Sequence, residues 1–228
     1  MKHRDHQIEA VLFDLGGTLV RTEEIPKVLS RILENHGIHR SLEEITTARE
    51  EAEKGLNFED LAVLLDKFWI KWNQRILANL QVTKATHELA QFIATHWWDH
   101  CNVALYPDAK EVLLRLEKRG LKLGVITNGL QSDVKEILPK VNLDNFFDVV
   151  VVIDTLRKMK PDAEVFHYAL HKLGIAPKSA IFVGDEVEAD YKGALGAGLT
   201  PYLIDRNKKM QDEDLNKISS LNDLLEVI

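Results

Sequence analysis

The chain contains a single cysteine, Cys101, among its 228 residues. An internal disulfide is excluded, and a reducing compartment is the expected setting. No basic tract longer than a few residues occurs, and the net charge is −7, which argues against nucleic acid or an anionic membrane as partner. A long apolar run is missing too: polar residues from Met1 to Gln7 are followed by an apolar segment that stops at Asp14. That segment is too short for a signal core or a membrane span, so a cytoplasmic location is expected. Repeats and low-complexity stretches are absent. What remains is an ordinary globular composition, long enough for one large domain or for a domain carrying an inserted module. With no excess of basic charge, an anionic substrate must find its counter-charge locally, in a lysine, a metal ion or oriented backbone N–H groups.

Five short apolar segments, rich in β-branched residues, read as buried strands. They are Ile8 to Leu15, Leu121 to Thr127, Phe147 to Ile153, Ala180 to Gly184 and Tyr202 to Ile204. Helical patterns lie between the later ones, over Asp108 to Arg119, Ser132 to Leu138, Asp162 to Leu173 and Glu188 to Ala197. Glycine closes the first and the last two of these. A final helix, Leu221 to Val227, opens on Ser220 and Asp223 in capping-box spacing. Strand alternating with helix predicts a doubly wound parallel α/β sheet.

The interval between the first two strands breaks this alternation. From about Arg21 to Asn102 the patterns are helical, over Ile25–Asn35, Leu42–Lys54, Phe58–Leu80 and Thr86–Trp98. So long a stretch exceeds a crossover connection. The expected organisation is an α/β core of residues 1–20 and 103–228, with an inserted helical domain over 21–102.

Polar residues collect where the predicted strands end. Asp14 closes the first, Thr127 and Asn128 the second, and Asp185 the fourth, while Lys160 follows the third. Strand ends of a parallel sheet share one edge, where open α/β folds bind ligands. Two carboxylates there suit a hard cation such as Mg²⁺, which takes oxygen ligands. A cation would offset the repulsion between an anionic nucleophile and an anionic phosphate. Lys160 adds positive charge, although Lys158 stands two residues away and the sequence leaves open which lysine serves. Gly16 and Gly17 allow the backbone after Asp14 to turn and aim its N–H groups at a phosphate.

The run Asp14-Leu15-Gly16-Gly17-Thr18-Leu19 resembles the first motif of haloacid dehalogenase-like hydrolases. Thr127-Asn128 is similar to the second, Lys160-Pro161 to the third, and Gly184-Asp185 through Asp190 to the fourth. The helical insert resembles the mobile cap of one large subgroup. The resemblance implies that Asp14 attacks phosphorus, forming an aspartyl-phosphate that water hydrolyses. It implies Mg²⁺ held by Asp14, Asp185 and the Gly16 carbonyl, with Asp190 either behind these ligands or contributing through a bound water. Gly17, Thr127 and Asn128 would contact the substrate, and Lys160 would also orient Asp14. The partner would be a small phosphorylated molecule, and the protein a monomer or homodimer.

One position departs from that pattern. In phosphatases of the family, the second residue after the nucleophile is an aspartate that protonates the leaving oxygen; here it is Gly16. A proton donor of this kind is worth about 10²–10⁴-fold, so slow turnover of alkyl phosphates is expected. The loss keeps other activities in play: C–P cleavage of the phosphonatase type, C–halogen cleavage of the dehalogenase type, or phosphate binding without turnover. Phosphatase ranks first, because Gly184-Asp185 supplies a metal carboxylate and no cap-lysine motif is present. Glu186 is read as a helix-start residue favoured by the dipole. His96 and His100, and His167 and His171, have the spacing of helical metal pairs but no further ligands, and they read as surface residues. Trp69, Trp72, Trp97 and Trp98 read as packing of the helical insert.

Overall fold

Apolar runs without a polar face can rest only where both sides are covered. In the computed structural model, which describes residues 7–84, 86–208 and 214–228, β1 (Ala10–Phe13) is such a run, and all four of its residues have no exposed surface. The polar start, residues 1–6, lies outside the described residues. β2 (Val20–Thr22) follows β1 directly. Next come the helices α1 (Ile25–Asn35), α2 (Leu42–Glu53), α3 (Asp60–Leu64), α4 (Asp66–Asn79) and α5 (Thr86–His100). The chain returns through β3 (Val103–Leu105), which pairs with β2 in a two-stranded sheet. It then alternates: α6 (Ala109–Lys118), β4 (Lys122–Ile126), α7 (Gln131–Lys140), β5 (Val149–Val151), α8 (Ile153–Leu156), α9 (Ala163–Leu173) and β6 (Ala180–Gly184). A π-helical turn over Val187–Lys192 leads into α10 (Gly193–Gly196), β7 (Thr200–Ile204), β8 (Lys217–Ile218) and α11 (Leu221–Leu224).

The main sheet has the order β5-β4-β1-β6-β7-β8, and every pair in it is parallel. The chain runs outward from β1 on one side and then outward on the other, so the order reverses at β1. That reversal opens a crevice beyond the carboxyl end of β1. Successive side chains of a strand face opposite ways. Ala10 and Leu12 pack with Ala180 and Phe182 of β6 against Val165, Phe166, Ala169 and Leu170 of α9. Val11 and Phe13 point to the other face and are equally buried. Phe166 and Phe182 meet edge to face with centroids 5.1 Å apart, worth about 0.5–1.5 kcal/mol beyond the area they bury.

Two compact units result, Met1–Arg21 with Ala104–Ile228, and Thr22–Val103. The second has its own core, in which Val28, Leu29, Ile32, Ile45, Trp72, Ile76 and Ile93 are buried, with Trp69, Trp97 and Trp98 packed against it. Its start signals are local. The Ser41 hydroxyl accepts the Glu44 N–H at 3.2 Å, and the Glu44 carboxylate accepts the Ser41 N–H at 2.7 Å, a capping box worth about 1 kcal/mol. Among the described residues no helix is long and apolar enough to cross a membrane.

Three expectations need correction. The pattern over Phe58–Leu80 is not one helix: Leu65, at φ 52° and ψ −130°, separates α3 from α4. The stretch Glu188–Ala197 is a π-turn and a short helix rather than one α-helix. The short strands β2, β3 and β8, and helix α8, were not expected.

Candidate active site

Three strands of the main sheet hand over to a polar residue at their carboxyl ends, where the apolar run and its cover stop together. Asp14 leaves β1, Thr127 leaves β4, and Asp185 leaves β6. Three adjacent strands, β4, β1 and β6, thus deliver their last side chains to the crevice at the reversal. A cavity of about 290 Å³ lies there, lined by Asp14, Gly16, Gly17, Thr127, Asn128, Lys160, Asp185, Glu186 and Asp190. Every site residue expected from the sequence is among them. Glu186, read from the sequence as a helix start, joins them.

Lys160 is buried at 4% exposure, and its ammonium is shared. Nζ donates to Asp14 Oδ1 at 2.6 Å and to Asp190 Oδ1 at 2.6 Å, with the Phe182 ring 5.3 Å away. Lys158 instead pairs on the surface with Asp162 and Glu164, so Lys160 is the lysine that reaches Asp14. The second oxygen of Asp190 accepts the Glu186 N–H at 3.0 Å. Asn128 grips the Lys160 backbone from both sides: its Nδ2 donates to the Lys160 carbonyl at 3.0 Å, and its Oδ1 accepts the Lys160 N–H at 2.7 Å. The amide expected to contact substrate therefore holds the lysine segment in place. Thr127 Oγ1 accepts the Gly129 N–H at 3.1 Å.

Sterics decide two glycines. Gly17 has φ +77°, and a Cβ there would stand 2.2 Å from Asp185 Oδ2, so a side chain would displace the carboxylate as well as strain the backbone. A Cβ on Gly184 would fall 2.3 Å from the Asp190 carboxyl. Thr18, fully buried, donates its hydroxyl to Asp185 Oδ1 at 3.4 Å. The motif contained this residue, but nothing in the sequence distinguished its hydroxyl from that of any core threonine.

One ammonium serves a crowd of carboxylates here, and the balance shows in the proton affinity of Asp14 and Asp185. Burial, partly offset by Lys160 and reinforced by Asp190 and Asp185, pushes Asp14 up to about 7. Burial, then Asp190 and Glu186, push Asp185 up to about 6. Burial works against the charge on Lys160, but Asp14 and Asp190 outweigh it and raise its proton affinity. Raised carboxylate values mean that the folded state binds more protons than the unfolded chain between about pH 4 and pH 7. Their stabilising contribution is full below the unfolded value and is lost as pH rises through 6 to 7. The melting temperature of protein in EDTA is therefore expected to be higher at pH 6 than at pH 8 by a few degrees. Saturating Mg²⁺ is expected to shrink that difference, and melting curves at both pH values check it.

A cation fits this environment. Asp14, Asp185 and Asp190 present ligand oxygens all within 4.8 Å of one another, and among the described residues they are the one such trio of His, Cys, Asp or Glu. All the donors are hard oxygens, as Mg²⁺ prefers. The histidine pairs join no such cluster: His96 stacks on Phe92 at 4.3 Å, and His167 Nε2 lies 3.0 Å from the Ala197 carbonyl.

Comparison with known proteins gives the family. The glyceraldehyde 3-phosphate phosphatase of Methanocaldococcus jannaschii is 29% identical, over 97% of both chains. The enzyme of the same name from Pyrococcus furiosus is 30% identical, over 85% of this chain and 79% of its own. A crystal structure of a HAD phosphatase from Thermococcus onnurineus superposes with a TM-score of 0.66 at 25% identity, covering 96% of this chain and 97% of that one. The family model for haloacid dehalogenase-like hydrolases matches residues 8–198. The chain belongs to the haloacid dehalogenase-like hydrolases.

Proposed function

We propose that this hydrolase is a Mg²⁺-dependent phosphatase of small phosphorylated metabolites, working through an aspartyl-phosphate on Asp14. One observation carries the reading: the Asp14 carboxylate sits 2.6 Å from the Lys160 ammonium, within a trio of carboxylates whose oxygens lie within 4.8 Å of one another. The phosphatase names of the relatives support the substrate class. The helical unit Thr22–Val103 is assigned the part of a cap that selects the leaving group.

Each residue has a share in the reaction. Lys160 holds Asp14 Oδ1 and so fixes the carboxylate; the other oxygen attacks phosphorus as the bond to the leaving oxygen breaks, its electron pair departing with that oxygen. Water then attacks the phosphorus of the aspartyl-phosphate, releasing inorganic phosphate and restoring Asp14. Thr127 and the N–H groups after Asp14 hold the phosphoryl oxygens. Asn128 keeps Lys160 in place, and Asp190 takes the second hydrogen bond of its ammonium. A Mg²⁺ ion held by Asp14, Asp185 and the Gly16 carbonyl, with Asp190 through water, would lower the charge repulsion on approach. Cys101, a buried thiol outside any disulfide, is in keeping with a cytoplasmic enzyme.

The leaving group lacks a proton donor at Gly16. Acyl and aryl phosphates, which leave without one, are therefore the preferred substrates. Acetyl phosphate and p-nitrophenyl phosphate should release phosphate with Mg²⁺ and release none in EDTA. Saturable phosphate binding with no release from either compound would replace the enzyme by a binding module.

A further inference from the structure

Arg206 stands two residues beyond β7, far from Asp14 in the chain, and its guanidinium is committed on three sides. Nη2 donates to the main-chain carbonyl of Thr18 at 2.8 Å. Nη1 pairs with Asp108 Oδ2 at 2.9 Å. The guanidinium carbon lies 3.7 Å from the centre of the Tyr106 ring, a stacking that a planar cation makes and an ammonium does not. Tyr106 in turn donates its N–H to the Leu19 carbonyl at 3.0 Å. Two successive carbonyls of the turn after Asp14 are thus held from behind. The Thr18 hydroxyl, on the same residue, donates to Asp185 Oδ1 at 3.4 Å.

We propose that Arg206 is a positioning residue for the cation site, acting on the Asp185 carboxylate through Thr18. This rests on the Mg²⁺-dependent reading above. Thr18 is fully buried, and its backbone and its hydroxyl are fixed together. Anchoring the carbonyl sets where the hydroxyl points, and the hydroxyl orients an oxygen of Asp185. Asp108 in turn anchors Arg206. Its Oδ2 also accepts the Ser220 hydroxyl and the Leu221 N–H, each at 2.8 Å. Burial would raise the Asp108 carboxyl, but Arg206 and these bonds keep it below the usual range. The two halves of the hub can therefore be separated. Arg206 reaches toward Asp185, while the hydrogen bonds of Ser220 go to Asp108, Asn222 and Asp223 and tie down the start of α11.

Partners behind a metal-binding side chain typically contribute about 10–100-fold to metal affinity or activity. Titration calorimetry of Mg²⁺ into the full-length protein without substrate, with melting curves beside it, tests the assignment. Arg206→Met is expected to weaken Mg²⁺ binding about tenfold or more. Ser220→Ala is expected to lower the melting temperature and leave Mg²⁺ affinity at the wild-type value. Thr18→Val is expected to weaken binding as Arg206→Met does, and the double variant to be little weaker than the weaker single one, because both changes cut one relay. Should Arg206→Met not fold, Arg206→Lys takes its place, with an affinity below wild type. An Arg206 variant that binds Mg²⁺ like wild type, or losses that multiply in the double variant, would overturn the relay while leaving the phosphatase reading intact. A wild-type protein that neither binds Mg²⁺ nor releases phosphate would remove that reading and the relay with it.

Discussion

Asp14→Asn is expected to abolish phosphate release from acetyl phosphate, by on the order of 10⁴-fold or more, the scale seen when a covalent nucleophile is removed. The change is close to isosteric, and misfolding is a poor explanation for the loss. Asp14 is buried, and burial together with the neighbouring Asp190 and Asp185 already drives its carboxyl up to about 7, so a neutral amide relieves crowding among the carboxylates. Lys160 keeps Asp190 at 2.6 Å. The melting temperature in EDTA should therefore be maintained or rise while activity disappears. Labelled phosphate should become bound to the wild-type protein as an intermediate and not to the variant. Retention of more than a few per cent of turnover by Asp14→Asn would remove the aspartyl-phosphate from the mechanism.

The second large effect runs in the opposite direction. Gly16→Asp is expected to raise turnover of an unactivated alkyl phosphate by about 10²–10⁴-fold, the usual worth of a positioned proton donor. Acetyl phosphate, whose leaving group is a weak base, should change far less. The structure makes this substitution feasible. A Cβ built on Gly16 meets nothing within 4 Å, and Gly16 is not among the glycines of positive φ. The neighbouring glycine offers no such freedom, because Gly17 has φ +77° and a Cβ there would sit against Asp185. Steady-state kinetics on both substrates decide the matter. If the wild type already turns over alkyl phosphates at ordinary rates and Gly16→Asp adds nothing, the proton comes from another residue.

Much of the core was legible because its strands are buried on both faces. Ala180–Gly184 has the bounds read from the apolar run alone, and β1 and β4 lie within the expected segments. β2, β3 and β8, of two or three residues outside any longer apolar run, leave no periodicity to read; they exist because a neighbour supplies hydrogen bonds. Leu65 was invisible for a related reason. The apolar spacing continues across it, while its backbone turns to φ 52°, a conformation that leucine does not advertise. Glu186 lines the cavity although its sequence position explains it equally well as a helix start.

The polar residues that follow β1, β4 and β6 were determined by the sequence alone, since there the apolar run stops where its cover stops. That local logic was enough to nominate Asp14, Thr127, Asn128, Lys160 and Asp185. Their relations to one another were decided only in three dimensions. Whether Lys158 or Lys160 meets Asp14, that Asn128 grips the Lys160 backbone, and that Arg206 reaches Thr18 all depend on which strands are neighbours. Strand order is a property of the whole sheet, and it seats β1 between β4 and β6, strands more than a hundred positions further along the chain.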